Sequence, residues 1–526
     1  METSGGLFAL IKSLNKSEKG YFKKYANFHV RNNEKNNYTK IFDAIDLQKT
    51  YSEAKLIKKF KNERFINQFA VAKNYLYNMI LSSLEAYTKT VTIELRSLLN
   101  RVEILADKGL YTQAKKILKK AKKIALEYEK LTYVAEINLL EQSILRLEYD
   151  TKGLKDNVEN FTQEIQDVSF QIDNIAIYEQ LKSQLLIQYI ETGGLRSEKD
   201  IKNFEWLIKN PLLSDERQAL SITAKVLFNE LHTLYHAYTG DSKKCYEYSL
   251  KLIQLIESNP LVVETSINFP TFYLYRHSIH CSNAGIHEEA LKAISRLEGL
   301  TPRTEIQRNN LSLKVLNTRV TVFLRMGQIQ NAMDLIPEIK NLFENSKQID
   351  SFLKEATYWQ VICLYIISEQ YKSALNWFIK ANLEERFLRQ DLECIGRIIE
   401  IILHFELQNI DIIEYRVKAA QRFLSSKNKL YPLESVFLSA FRHLIKNTDN
   451  KGLQLFSEEI KTFLQTETTA SLESNYLVYL IIVSWLESKV KNVKLQDIIL
   501  NKFESDRINV DSSVIEKNKI VTIQKD

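Results

Sequence analysis

The sequence predicts an all-α chain in which helical hairpins stack one upon the next. Three observations lead there. Glycine and proline are scarce, 13 and 6 residues in 526, against usual shares near ~7% and ~5%. β-rich folds and glycine-rich phosphate loops need more glycine, whereas long helices on short turns need little. The length exceeds the ~250–300 residues that one core usually serves, so several domains or an elongated array follow. The third observation is a spacing that recurs along most of the chain.

Residues 1–90 lie outside that spacing. Leu14-Asn15-Lys16-Ser17-Glu18 starts a helix well: Asn15 caps it, and Glu18, three residues on, reaches back to the same backbone. Tyr21, Phe22 and Tyr25 give this helix an aromatic face, and Asn32–Asn37 is a polar loop. Further helices are expected near Tyr38–Leu47, Ser52–Phe60 and Val71–Tyr87. The segment reads as a basic helical cap for the array. Its alternative reading is a small winged-helix-like or helix-turn-helix module whose Lys55–Arg64 stretch faces phosphate.

Residues 91–504 carry the repeat. A Gly or polar turn is followed five positions later by a small or apolar anchor, then by apolar or small residues four and seven positions on. Gly109–Ala114–Leu118–Ala121, Gly285–Ala290–Ile294–Leu297 and Gly327–Ala332–Ile336–Ile339 are clear copies. Gly240–Cys245–Ser249–Leu252 and Gly153–Val158–Thr162–Ile165 are weaker, and Glu369–Ala374–Phe378–Ala381 keeps the spacing without glycine. With Ile201, Ile413 and Leu453 the anchors fall 39 to 45 residues apart along the chain. Spacings of four and seven lie on one helical face. A small anchor lets the preceding helix come close, and a glycine at φ > 0 ends that helix. Apolar runs such as Leu311–Arg325, Ala356–Ile367 and Ile395–Leu407 supply the longer first helix of each hairpin. One hairpin cannot hide its apolar face alone, whereas a stack can, and the stack forms a superhelix with a concave wall.

The Gly-x-Tyr-x-x-Ala of Gly109–Ala114, the Gly-x-x-x-x-Ala of Gly285–Ala290 and Gly327–Ala332, and the Gln-Tyr-x-x-Ala of Gln370–Ala374 resemble the tetratricopeptide repeat family over about residues 95–500. The resemblance implies a right-handed α-solenoid. The period of about 42 departs from the family's ~34, and the proline after each second helix is mostly absent. Longer-period arrays of this kind look like the sensor arms of bacterial peptide- or effector-responsive regulators. In the family the concave wall is built by the first helix of each hairpin. Carried over by offset, fifteen residues before the anchor lie Glu230, Tyr275, Asn317 and Trp359; eleven before, Leu234, Ile279, Thr321 and Cys363; seven before, Tyr238, Asn283, Arg325 and Ile367. From these, Glu230, Tyr238, Tyr275, Asn283, Asn317, Thr321, Arg325 and Trp359 are the candidate partner-binding residues, a mixture of aromatic and polar groups suited to holding peptide. The repeated Lys and Asn of the family's carboxylate clamp are missing.

Catalytic signatures are not evident. The chain has no Gly-x-Gly-x-x-Gly, no Walker loop, no His-Glu-x-x-His and no Gly-x-Ser-x-Gly. His232 with His236, and His277 with His280 and Cys281, have spacings that a metal tolerates, yet their offsets are those of packing residues. No cofactor or metal is expected. Glu288-Glu289 and Glu458-Glu459 sit near helix starts, where the dipole favours them, and adjacent residues diverge too far to act as an acid–base pair. Four cysteines without a CxxC pair fit a reducing, cytoplasmic setting. No signal peptide is evident, and no apolar run reaches the ~18–20 residues of a membrane helix.

Charge is uneven. Residues 1–130 hold 26 Lys and Arg against 13 Asp and Glu, and the rest hold 46 against 52. A basic first quarter attracts nucleic acid or an acidic protein, or is a plain solvated surface. The Lys115–Lys123 run reads as a solvent face, with phosphate contact as the sharper alternative. Residues 505–526 are a polar tail in which Val514–Gln524 has strand-like composition. The function expected is non-enzymatic protein or peptide binding on a concave helical face. The alternative is a ligand-responsive regulator whose basic N-terminal module contacts nucleic acid.

Overall fold

The computed structural model of the chain describes residues 4–28, 37–192, 195, 198–263, 268–302, 304–346, 348–384, 390–427, 431–446, 450–465 and 477–511. Every regular element among them is helical. The residues cluster into two compact units, Met1–Ser169 with Thr301–Arg308, and Phe170–Leu300 with Asn309–Asp526. The expected boundary at residue 90 falls inside the first unit. The expected strand-like segment Val514–Gln524 and the pair Gly193-Gly194 lie outside the described residues.

The first unit begins with α1 (Ser4–Ser13), α2 (Lys16–Phe28), α3 (Asn37–Asp46), α4 (Glu53–Lys59) and α5 (Phe69–Tyr87). The cap of α2 is reciprocal: Glu18 N–H donates to Asn15 Oδ1 (2.9 Å) and Asn15 N–H to Glu18 Oε2 (2.8 Å). Two donors that the helix start leaves orphaned are thereby satisfied. Ile11, Phe22, Ile41, Phe42, Ile45, Leu76 and Ile80 close a core of their own, all fully buried. There follow α6 (Val91–Asp107), α7 (Tyr111–Glu127), α8 (Leu131–Leu147) and α9 (Thr151–Thr192), and the division between the units falls within α9.

The second unit continues through α10 (Glu198–Ile208), α11 (Ile222–Thr239), α12 (Ser242–Ser258), α13 (Pro260–Val263), α14 (Asn268–Asn283), α15 (His287–Glu298) and, from Asn309 on, α16 (Glu305–Arg325). Then come α17 (Ile329–Met333), α18 (Ile336–Asn345), α19 (Ser351–Ile367), α20 (Tyr371–Glu384), α21 (Gln390–Glu406) and α22 (Ile410–Ser426). It ends with α23 (Pro432–Lys446), α24 (Asn450–Leu464), α25 (Leu477–Lys491) and α26 (Leu495–Asp511). Neighbours in sequence pack as pairs: α6 with α7, α11 with α12, α14 with α15, α19 with α20, α21 with α22 and α23 with α24.

The joints of these hairpins lie where the spacing puts them. Gly109, Gly240, Gly285, Gly327, Glu369 and Gln408 all have φ between 55° and 80°, and each stands five residues before an anchor. At Gly109 the N–H reaches Ala106 O (2.9 Å) and the next N–H reaches Leu105 O (2.8 Å). The same two bonds recur at Gly285, Gly327, Glu369 and Gln408, which satisfies carbonyls that a helix end leaves open. The anchors Ala114, Ala290, Ala332 and Ala374 are fully buried, and Cys245 and Ile413 nearly so. A larger side chain at any of them would push the paired helix away.

Two expected features fail. Gly153 is not a turn: it sits in the first turn of α9, where its N–H donates to Asp150 Oδ1 (2.8 Å) and a Cβ would meet the same carboxylate at 2.5 Å. Val158 is 49% exposed, and the buried face is carried instead by Phe161 and Val168. No Gly or Pro interrupts residues 154–192, so the expected hairpin is replaced by one 42-residue helix. The side chains of the expected anchors Ile201 and Leu453 lie outside the described ones. The second helix after Gly327 is split into α17 and α18, because Pro337 lacks an N–H and clashes with the preceding turn. At the far end Trp485 of α25 is fully buried and donates Nε1–H to Glu406 Oε1 (2.6 Å). Phe405, Phe437 and Phe441 surround its ring at 5.8, 6.2 and 6.0 Å between centroids.

Candidate functional site

The eight residues proposed for the concave wall separate into two groups. Glu230, Asn317 and Trp359 are buried, at 2%, 2% and 4% exposure, so a partner could not reach them. Glu230 on α11 accepts from the Tyr273 hydroxyl (2.8 Å) and pairs with Lys182 (2.9 Å). Burial, then the neighbouring carboxylate, raises the Tyr273 pKa, so the phenol stays a neutral donor. Trp359 on α19 meets the Phe378 ring edge-on at 6.1 Å, with Gly396 of α21 close against it.

Asn317 on α16 is the centre of a polar ladder. It accepts from Tyr275 Oη of α14 (2.9 Å) and donates to Thr357 Oγ1 (3.1 Å) and Gln360 Oε1 (2.5 Å) of α19. Gln360 in turn donates to Thr321 Oγ1 (2.7 Å). The offsets therefore brought Tyr275, Asn317 and Thr321 together. They did not reveal that the first helices of three successive hairpins use these groups on one another, nor did they include Tyr273 and Gln360. Of the others, Asn283 is exposed, Tyr238 stacks on Tyr189 at 4.2 Å, and the Arg325 guanidinium lies 4.7 Å from the Phe503 ring centre.

The histidines pack. His232 stacks on Tyr248 at 4.3 Å and its Nε2 lies 3.0 Å from Leu213 O. The Ser249 hydroxyl donates to Tyr246 O (3.0 Å), so its oxygen accepts from His277 Nδ1–H (2.9 Å), which leaves Nε2 for the Cys281 thiol (3.4 Å). His280 Nδ1 pairs with Cys245 Sγ at 3.1 Å. Burial lowers the His277 and His236 pKa values to about 4 and that of His280 well below its usual range. It pushes the Cys245 thiol up to about 12. These are uncharged packing groups, and the cavity beside them, about 10 Å³, is no larger than one water. All four cysteines are buried and free.

An open recess lies in the first unit, where none of the eight expected partner-binding residues falls. A groove of about 470 Å³ runs between α6 and α8, lined by Thr92, Arg96, Asn100, Thr132, Tyr133 and Glu136, with Leu99 at its floor. Arg96 Nε–H donates to Tyr133 Oη (3.0 Å) across it. Buried Leu95, Leu98, Leu99 and Val102 fix α6, and Val134 and Ile137 fix α8, which leaves Arg96, Asn100, Thr132 and Glu136 facing outward. Carried back to Ala114, the offsets of fifteen, eleven and seven reach Leu99, Glu103 and Asp107, so of this lining the hairpin pattern marks only Leu99.

The Lys115–Lys123 run on α7 is largely neutralised within the unit. Lys115 pairs with Glu148 (2.5 Å), Lys120 with Glu94 (2.8 Å), Lys122 with Glu164 (2.6 Å) and Lys123 with Glu127 (3.7 Å). No described helix is long and apolar enough to cross a membrane. Set against known proteins, the chain matches no family model and no curated protein.

Proposed function

We propose that the chain is a non-enzymatic scaffold, a long-period right-handed solenoid of the tetratricopeptide kind, that holds a peptide or protein segment along the first helices of its hairpins. The observation that carries this reading is the α6–α8 groove. It is a shallow, largely polar groove whose lining offers a cation, an anion, an amide and a phenol on two packed helices. Such a lining suits peptide backbone and mixed side chains. In the second unit, the exposed or half-buried Tyr275, Asn283, Thr321 and Arg325 remain candidates. The buried Cys245 thiol is held protonated, which makes it a poor nucleophile. Four free buried cysteines suit the cytoplasm.

The test is affinity capture from native cells with the full chain, comparing wild type, Arg96→Ala/Tyr133→Ala and the outer-face control Lys116→Ala/Lys119→Ala. A partner lost with the first variant and kept with the second supports the groove. Unchanged capture by the groove variant, with unchanged helicity, overturns it.

A further inference from the structure

The segment after α3 carries positive charge of a different kind from that of α7. Lys55, Lys58, Lys59, Lys61 and Arg64 fall within ten residues, and all five side chains are exposed. The acids that flank them are already engaged: Glu53 pairs with Lys73 (2.9 Å) and Glu63 with Lys40 (2.9 Å). Among the described residues none of the five cations has an ion-pair partner, whereas four of the six α7 lysines do. The segment is also held firmly. Leu56 and Phe60 are buried at 1% and 6%, and the Phe60 and Phe65 rings pack at 5.4 Å. The chain reverses there through Phe60 N–H to Leu56 O and Glu63 N–H to Phe60 O, both 2.9 Å. With the backbone already packed, binding a polyanion to these five cations has only side chains left to order.

The chemistry selects among polyanions. Protein interfaces are depleted in lysine and anchored by aromatics, but here four of the five cations are lysine and Phe60 is turned inward. A membrane-lying helix needs a continuous apolar face; α4 has seven residues, its Leu56 belongs to the core, and Ile57 is its one exposed large apolar group. Phosphates accept lysines as point charges without further geometry. We propose that residues 55–64 form a sequence-independent docking surface for the phosphate backbone of nucleic acid. None of the α6–α8 groove residues takes part, so this proposal stands apart from the scaffold reading.

The experiment is fluorescence anisotropy of a labelled random-sequence 20-base-pair DNA duplex with the full chain at 50 and 200 mM NaCl. Five phosphate contacts predict an affinity loss of about 500-fold between those salts. Lys55→Ala/Lys58→Ala/Lys59→Ala/Lys61→Ala/Arg64→Ala is expected to weaken binding at least tenfold at 50 mM and to flatten the salt dependence. Lys116→Ala/Lys119→Ala should stay within twofold of wild type. Circular dichroism checks each fold, and Lys58→Glu/Lys61→Glu gives the same reading should the fivefold variant misfold. No duplex binding by wild type at 50 mM NaCl overturns the proposal. So does equal loss in the patch and α7 variants, or binding to phosphatidylserine vesicles without binding to DNA.

Discussion

The first helices of the hairpins are used in opposite ways in the two units. In the second unit α14, α16 and α19 turn polar groups toward one another, and Tyr275, Asn317, Thr357 and Gln360 close a ladder with little left for a partner. In the first, α6 and α8 hold comparable groups around open space, joined by one Arg96–Tyr133 hydrogen bond. A polar residue at a wall position thus has two uses, holding the neighbouring helix or facing a ligand. Which one applies depends on whether a complementary side chain sits one hairpin away.

Four measurements sharpen or break this contrast. Trp359→Ala should have the largest effect, a loss of about 3–5 kcal/mol in urea unfolding, because the indole fills space between α19, Phe378 and Gly396. A change under 1 kcal/mol would return Trp359 to the surface. Asn317→Ala strands the polar groups it joins and should cost about 2–3 kcal/mol. A near-neutral result would dissolve the ladder as a structural device.

Acid comes next. The His277 pKa falls to about 4 on folding, by burial first and by Arg296 second, from an ordinary 6.5. The unfolded chain therefore binds the extra proton between those values. This stability is complete above pH 6.5 and drains as pH falls toward 4. At pH 5 the loss from His277 alone is about 2 kcal/mol relative to pH 7.5, and His277→Gln should remove that increment. Among the described residues all histidines belong to the second unit, so hydrogen exchange at pH 5 should rise there first. Simultaneous loosening of both units would contradict the contrast. Smallest is Arg96→Ala, expected within about 0.5 kcal/mol of wild type, since Arg96 is exposed. A larger loss would make the groove a structural joint.

The joints were legible because backbone conformation is a local property. Gly109, Gly240, Gly285 and Gly327 announce φ > 0 in one residue each, and the residues five positions on, Ala114, Cys245, Ala290 and Ala332, are all buried. Glu369 adopts the same conformation without glycine and was found by spacing alone, whereas Gln408 does so five residues before the anchor Ile413 with no signal in its own identity. Spacing also misled. It assigned Gly153 a turn, whereas that glycine answers the close approach of Asp150, and it placed Val158 inside, whereas Phe161 takes that role. The candidate site was legible only as a face. Offsets mark which side of a helix looks away from its hairpin partner, but they do not show whether Gln360 or solvent waits opposite Asn317. The α7 lysines teach the same lesson, for their counter-charges Glu94, Glu148 and Glu164 are 26 to 42 residues distant in sequence.

The hydrogen bond from Trp485 to Glu406 spans 79 residues, while the hairpin joints close over a single turn. Elements with neighbouring partners condense in microseconds to milliseconds, and distant ones wait on loop closure. During synthesis the earlier hairpins can therefore form as they emerge, while the apolar surface of α21 stays uncovered until α25 has been made. The chain's window of vulnerability to aggregation and proteolysis closes with the seating of that indole.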